Sequence, residues 1–600
     1  MTRLRALLLL PFFCACTTFS APTITYTLGM SHPSTHLFEV ELRINGLANA
    51  DSAIDLVLPV WRTGRYMIAD FAGGVQRFTA EDGSGKPLPW LKTDKTTWHI
   101  RPAGSTVAAR YLVYANEPRQ RTRMLDDQYG FVDGTAVFMM VTRYRNDPLT
   151  LVVHPFGNWH VTTGLEAATG RPATFLAHDY DELADCPLQI GTQHDYDFSI
   201  NGIPHLFSIT GRTNCETDSI LAWAKQIVTM NAAFWGGLPY RRYAFLLRFI
   251  PDGGGATEHI NSCVLDMPST VLRTPDPCRQ IIGLISHEFF HTWNVKRLRP
   301  KSMDPYDFTK ENYSREIWLA EGGTSYFHNI LLIRSGLSQA GGFVRGLAAR
   351  VRDDRLRPGD TVQSPAACSF DMWIKYNRPT PASFNFESDP YSRGSNVSLL
   401  LDLELRHRSG NKASFDELLR TLYRRFPLGR GGYTVEDVER VAVELAGEGL
   451  KDFFARYVYG ADPLPWEEGL EYAGLRLAPV PGSQDTWLGL TTGDDEGRTV
   501  VRTVVAGSPA YEAGLDVGDQ LLALDTLRIR PFEFNRRIAE YRPGDTIGLT
   551  VFHGDILREF RIKLVRNPVP AYSVTRVDRP DRLQQAMYES WLGRPWKDQD

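Results

Sequence analysis

Cysteine is scarce in this chain: seven residues in 600, of which only Cys186, Cys215, Cys263, Cys278 and Cys368 lie beyond the first 21 positions. An odd and widely spaced set excludes a disulfide scaffold, and no pair has the spacing of a cysteine zinc site. Cys263 and Cys278 are close enough in sequence to pair in an oxidising compartment. Charge of one sign is also missing, since 66 basic and 70 acidic residues leave a net charge of −4. That balance excludes the electrostatic footprint of a nucleic-acid binder or of a protein drawn to an anionic membrane. Long apolar runs are absent too. The longest near the start, Ala6 to Phe13, is too short to span a bilayer, and no later segment reads as transmembrane. Neither an internal repeat nor a low-complexity tract is present.

What is there is an ordinary globular composition, 43% hydrophobic and 23% charged, long enough for several domains. Residues 1–21 place Arg3 and Arg5 before the apolar run and small residues after it, the order of a signal peptide. The mature chain is therefore expected to be exported, periplasmic or secreted. Lipoprotein anchoring at Cys16 is the less favoured alternative, because Phe13-Cys14-Ala15 is a poor cleavage context.

The fold expected is multidomain α+β. Residues 22–195 read as a β-sandwich-like domain: Phe38, Val40, Leu42 and Ile44 alternate with polar residues, and 55–61, 106–114 and 136–142 are further strand candidates. Residues 196–462 read as a mainly α domain with a small sheet, including a helix over 216–235 and a buried strand over 243–250. Residues 463–469 read as a linker, 470–566 as a third domain of short strands, and 567–600 as a tail with a helical segment.

The chemistry is announced by His287-Glu288-Phe-Phe-His291. Asp276 and Pro277 supply a helix start, and Pro300 follows a basic last turn, so the spacing predicts one helix between them. Histidines four apart then share a helix face, as two ligands of one zinc ion must. Glu288 is placed to act as general base on a water at the metal. A third ligand is needed. Glu321, within Trp318-Leu-Ala-Glu-Gly-Gly323, is the best candidate, since two glycines after it permit close helix approach; Glu316 and His328 are weaker ones. The glycine run 253–255 at the end of the strand over 243–250 marks a place where another chain can come close.

These motifs, with Tyr391-Ser-Arg-Gly394 and Leu58-Pro-Val-Trp-Arg-Thr-Gly-Arg-Tyr66, resemble the glycyl aminopeptidase family of gluzincin metallopeptidases, and the likeness extends to the tail at Tyr588-Glu-Ser-Trp-Leu-Gly593. The resemblance implies a thermolysin-like catalytic domain with one zinc per chain on His287, His291 and Glu321. It implies Glu288 as general base and later proton donor, and Tyr391 as hydrogen-bond donor to the developing oxyanion. Gly255-Ala256-Thr257-Glu258 resembles the substrate-lining segment of related aminopeptidases, with Glu258 on the free α-ammonium; Ala256 and Thr257 depart from the family's usual Gly-Leu pair. Gly507 to Leu521 resembles a PDZ domain whose carboxylate loop would be Leu488, Gly489 and Leu490. The expected partners are peptide substrates and a peptide carboxy terminus in the PDZ groove. The activity implied is removal of amino-terminal Gly or Ala. Two rivals are an endopeptidase on the same site and a PDZ-centred binding protein with a structural metal. Three protein ligands leave a coordination position open and favour catalysis.

Overall fold

A computed structural model of the chain describes residues 22–47, 52–251, 253–269, 275–483 and 485–597, with residues 275–279 as backbone alone. The expected leader, with Cys16, and the side chains of Asp276, Pro277 and Cys278 lie outside the described residues.

The amino-terminal domain is β-rich. Strands β1 (Thr23–Gly29), β2 (Leu37–Asn45), β3 (Val75–Glu81), β4 (Thr106–Tyr114), β5 (Leu149–His154), β6 (Glu166–Ala167) and β7 (Thr174–Ala177) form one sheet in the order β6-β7-β5-β1-β2-β4-β3. Phe38, Val40, Leu42 and Ile44 of β2 all point into its core. Two smaller four-stranded sheets complete the domain. The strand expected over 136–142 is instead a short helix, Gly134–Val137, followed by a two-residue strand at Met140–Val141. Asp133 accounts for it: its carboxylate accepts the Thr135 N–H at 3.0 Å and caps a helical turn.

The catalytic region is built on a second sheet, β8 (His194–Ile200), β9 (Ile203–Thr210), β10 (Tyr243–Ile250), β11 (Ala256–Glu258) and β12 (Ser262–Pro268), in the order β8-β9-β10-β12-β11. Every residue of β10 is buried, as befits a strand with parallel neighbours on both sides. β11 is an edge strand. Helices α1 (Thr217–Trp235), α2 (Pro275–Phe290), α3 (Thr324–Ser335) and α4 (Ser392–Arg408) pack with this sheet into one core.

Helix α2 differs from expectation at both ends. It starts at Pro275 and stops at Phe290, ahead of the predicted end near Pro300. Beyond it the chain turns, with Val295 at φ 124°, and the Asn294 amide donates to Leu319 O at 3.0 Å and Ala320 O at 3.2 Å. Those bonds to the next helical segment are ones a continued α2 could not make. That segment, Trp318–Gly323, is a π-helical turn leading into α3. A Cβ on Gly322 would lie 2.5 Å from Gly394 Cα, so the close helix approach expected there is made against α4.

The chain then leaves and returns. β13 (Leu475–Pro479) precedes a five-stranded path of β14 (Leu490–Asp495), β15 (Arg498–Val504), β16 (Gln520–Leu524), β17 (Thr546–His553) and β18 (Ile556–Lys563), and β19 (Tyr572–Arg576) closes the excursion by pairing with β13. This carboxy-terminal PDZ-like unit has its own core. The predicted linker is partly helical, over Trp466–Tyr472. Trp466 is the reason: it is fully buried and its Nε1 donates to Asp354 Oδ2 at 2.9 Å. Cys263, weighed above as a partner of Cys278, is a free buried thiol, whereas Cys215 is disulfide-bonded. Among the described residues no helix is long and apolar enough to cross a membrane.

The tail helix α5 (Arg582–Leu592) belongs to the catalytic core rather than to the unit it follows. Trp591 is fully buried, donates from Nε1 to Tyr326 Oη at 2.8 Å, and its carbonyl accepts from Arg334 Nε at 3.0 Å. Tyr326 and Arg334 sit on α3, immediately after the turn that carries Glu321. Trp591→Ala is predicted to destabilise the catalytic core by about 3–5 kcal/mol, the usual loss for truncating a buried aromatic. Urea unfolding followed by catalytic-core fluorescence measures it; an unchanged midpoint would show that the tail does not support that core.

Candidate active site

Three donors converge where α2 ends. His287 Nε2 and His291 Nε2 are 3.1 Å apart, and Glu321 Oε2 lies 3.3 Å from His291 Nε2 and 3.7 Å from His287 Nε2. Ligands at roughly 2.0–2.2 Å from a tetrahedral zinc stand roughly 3.3–3.6 Å from one another, so the donor set fits the ion. The rear contacts fit it as well. His291 Nδ1 is 2.8 Å from the Asn294 carbonyl, which fixes the proton there and leaves the Nε2 lone pair free for metal. His287 Nδ1 faces His328 Nδ1 at 3.4 Å. Burial, helped by His287, lowers His328 to about 3 and keeps it a neutral acceptor. His328 therefore stands behind a donor. Glu316 is elsewhere, accepting from Ser314 Oγ at 2.6 Å and the Val435 N–H at 3.1 Å.

The electrostatics of the triad call for a cation. Burial alone would depress His291, yet the Glu321 carboxylate overrides it and raises His291 to about 10. Burial would likewise raise Glu321, but His291 and His287 hold it well below the usual carboxylate range. A metal ion among the three would take the place of that proton.

Tyr66 Oη donates to the second Glu321 oxygen, Oε1, at 3.1 Å. Both side chains are buried, and burial with the Glu321 charge keeps the phenol protonated. Tyr66 comes from the amino-terminal domain and is further fixed by its carbonyl, which accepts from Asn377 Nδ2 at 3.1 Å. The sequence motif containing Tyr66 was visible, but nothing local says that its phenol reaches a residue 255 positions away.

The donors face a cleft of about 650 Å³ lined also by Glu258, Glu288, Tyr391, Arg121, Gly64 and the segment 253–256. Gly255 and Ala256 thus line the cleft at the start of edge strand β11. Glu258, Glu288 and His291 place their ligand-type atoms within 4.8 Å of one another. Glu288 is 6% exposed, and burial, reinforced by Glu258 and Glu321, raises it to about 8. Tyr391 sits just ahead of α4, its amide donating to Asp389 Oδ1 at 2.8 Å, its phenol kept protonated by burial and by Glu321. Gly64 is a second contribution of the amino-terminal domain. It has φ +74°, and a Cβ there would lie 2.5 Å from Glu258 Oε2. A second cavity, about 660 Å³ near Arg242 and Arg299, contains none of the three donors.

Leu488, Gly489 and Leu490 are remote from this cleft, in the PDZ-like unit. Leu488 O accepts from Ala510 N at 3.0 Å and Gly489 O from Val505 N at 2.8 Å, while Leu490 opens β14, an edge strand of its sheet. In a trans peptide each carbonyl opposes the N–H of the next residue, so these bonds turn the Gly489 and Leu490 amides away from Ala510 and Val505.

Residues 25–192 match the Peptidase M61 N-terminal domain family, residues 280–397 the M61 glycyl aminopeptidase family, and residues 486–564 the PDZ domain family. The structure is similar to a crystal structure of an aminopeptidase N family protein from Idiomarina loihiensis, with 27% identity, TM-score 0.87, and coverage of 94% of this chain and 100% of that one. A looser likeness is to a crystal structure of an M1 zinc metallopeptidase from Deinococcus radiodurans, 15% identical with TM-score 0.47, covering 74% of this chain and 96% of that one. No curated protein matches the sequence.

Because the Tyr66 phenol orients a donor, Tyr66→Phe is predicted to weaken zinc binding about tenfold to a hundredfold, the usual cost of removing such a second partner. Competition with a chromogenic chelator measures it. An unchanged Kd would remove Tyr66 from the metal site.

Proposed function

We propose that this chain, an M61-type zinc metallopeptidase and aminopeptidase, removes Gly or Ala from free peptide amino termini in an exported compartment. The observation that carries the reading is Glu258. As a residue it is 4% exposed, its side chain lines the cleft, and its carboxylate has no hydrogen-bond or ion-pair partner among the described residues. A buried, unpaired carboxylate is costly unless a cation arrives, and a peptide's α-ammonium brings one. The preference for small first residues rests on the family resemblance. Export is supported by the signal-like leader and by the disulfide at Cys215.

In this reading His287, His291 and Glu321 hold zinc, which when bound polarises the scissile carbonyl and acidifies a neighbouring water. Glu258 fixes the amino group and edge strand β11 aligns the substrate backbone, so the scissile bond is presented in one orientation. Glu288 takes a proton from the attacking water and delivers it to the leaving amine nitrogen, and burial tunes it toward a base that works near neutrality. The protonated Tyr391 phenol donates to the oxygen on which negative charge develops. The PDZ-like unit takes a peptide carboxy terminus at Leu488, Gly489 and Leu490, along edge strand β14.

The test compares Ala-initiated peptides with their amino-acylated forms. Acylation removes the positive charge and leaves Glu258 unpaired, so the free form should be favoured by about 10²-fold or more in kcat/KM. Glu258→Ala should erase most of that preference through the free form. Internal cleavage of blocked peptides at equal speed would make the enzyme an endopeptidase.

A further inference from the structure

The Tyr391 phenol lines the cleft, yet its oxygen makes no hydrogen bond to any described residue. The backbone of Tyr391 is well held: its amide donates to Asp389 Oδ1 at 2.8 Å and its carbonyl accepts the Ser395 N–H at 2.9 Å. A hydroxyl kept free to donate to substrate cannot be aimed by a bond of its own, so it has to be aimed by its ring. Among the described residues the aromatic ring paired with it is Tyr376, with centroids 5.3 Å apart and planes inclined by 30°, within the range of favourable aromatic contact. The rest of its apolar packing is against the core of the amino-terminal domain.

Tyr376 belongs to no helix or strand. It lies in the turn 372–377, is 36% exposed, and is not one of the residues lining the cleft. What holds it are its flanks. Trp373 is buried in the amino-terminal core, donates from Nε1 to Asn312 O at 3.2 Å, and meets the Tyr66 ring edge-on with centroids 6.0 Å apart. Asn377, the residue after Tyr376, donates from Nδ2 to Tyr66 O at 3.1 Å. The turn itself is closed by Asp371 O, which accepts the Ile374 and Lys375 amides at 3.0 Å each. Tyr376 is therefore suspended between two anchors on Tyr66, the residue that bonds Glu321.

We propose that Tyr376 is a positioning residue that aims the Tyr391 phenol at the oxyanion through ring packing. Its own hydroxyl takes no part: Tyr376 Oη bonds no described residue, and burial, with Asp389 and Glu321, pushes that phenol up so that it stays protonated. The turn 372–377 then sets both phenols at once, Tyr66 on Glu321 and Tyr391 at the oxyanion. A donor swung aside by an ångström loses much of its effect on the transition state. The inference rests on the role given to Tyr391 in the aminopeptidase reading and adds the group that directs it.

The experiment uses the zinc-loaded full chain and an Ala-initiated peptide. Tyr391→Phe should lower kcat by about 10²-fold, the usual loss for one oxyanion donor. Tyr376→Ala should lower kcat by about tenfold with KM and zinc content unchanged, since the contact it supports exists only in the transition state. Tyr376→Phe, which keeps the ring, should retain the wild-type kcat. In the Tyr391→Phe background, Tyr376→Ala should cost nothing further, because the two act as one unit. Tyr376→Leu replaces the alanine variant should that one fail to fold, and the same fall in kcat is expected of it. Unchanged kcat in Tyr376→Ala overturns the inference, as does an equal loss in the Tyr391→Phe background. A loss in Tyr376→Phe as large as in Tyr376→Ala also overturns it, because the hydroxyl would then be the working group. Full kcat in Tyr391→Phe removes that residue's role from the aminopeptidase reading, and this inference with it.

Discussion

One buried carboxylate holds the architecture of the site together. Asp185 accepts from Thr63 Oγ1 at 2.6 Å and from Lys296 Nζ at 2.9 Å, and lies 3.1 Å from His259 Nδ1. Burial would push its pKa up, but Lys296 and His259 hold it well below the usual carboxylate range. The charge is therefore stabilising at and above that range and its contribution is lost as pH falls below it. Each partner is next to a working residue: Thr63 precedes Gly64 and Tyr66, His259 follows Glu258, and Lys296 lies on the turn just after His291. Breaking such a buried pair by removing one partner leaves an uncompensated charge, so the three segments are locked in register with one another.

From that lock follows the composite character of the cleft. The metal donors come from the last turn of α2, the residue just after it and the π-helical turn before α3, yet the group that orients Glu321 and the glycine that makes room for Glu258 come from the amino-terminal domain. The π-turn has its own reason to exist, since it lets Trp318–Gly323 receive the Asn294 bonds on one side and the bare backbone of Gly394 on the other. The tail helix then closes the back of α3 through Trp591. The amino-terminal domain thus supplies part of the cleft itself.

How much of this was legible in the sequence follows from how local each feature is. Histidines four apart and a glutamate between them are a helix-face pattern, so the spacing of His287, Glu288 and His291 could be read directly. Glu321 could be favoured over Glu316 and His328 from the two glycines after it, whereas Tyr391 was reachable only through motif resemblance. The early stop of α2 at Phe290 was not readable, because it is set by Asn294 bonding to carbonyls some 25 positions on. Trp466 turned an apparent linker into a helix for a similar reason, an indole donating to Asp354. The motif holding Gly64 and Tyr66 was legible but not their part in the cleft, and Arg121 was missed. Each acts across the domain boundary, where neither periodicity nor capping carries information.

The central claim, that the amino-terminal domain completes the substrate site, is tested most directly by Gly64→Ala. The added Cβ would stand 2.5 Å from Glu258 Oε2 and must displace that carboxylate, and its nearest neighbours belong to Glu258 and Thr257 rather than to a metal donor. We predict that the variant keeps zinc near one per chain while its kcat/KM on free-amine peptides falls about 10²-fold, as for a misplaced binding group. Zinc content and kcat/KM measured on the same preparation decide it. Unchanged turnover at full metal occupancy would contradict the account, because it would mean that Glu258 does not need the space the amino-terminal domain leaves for it.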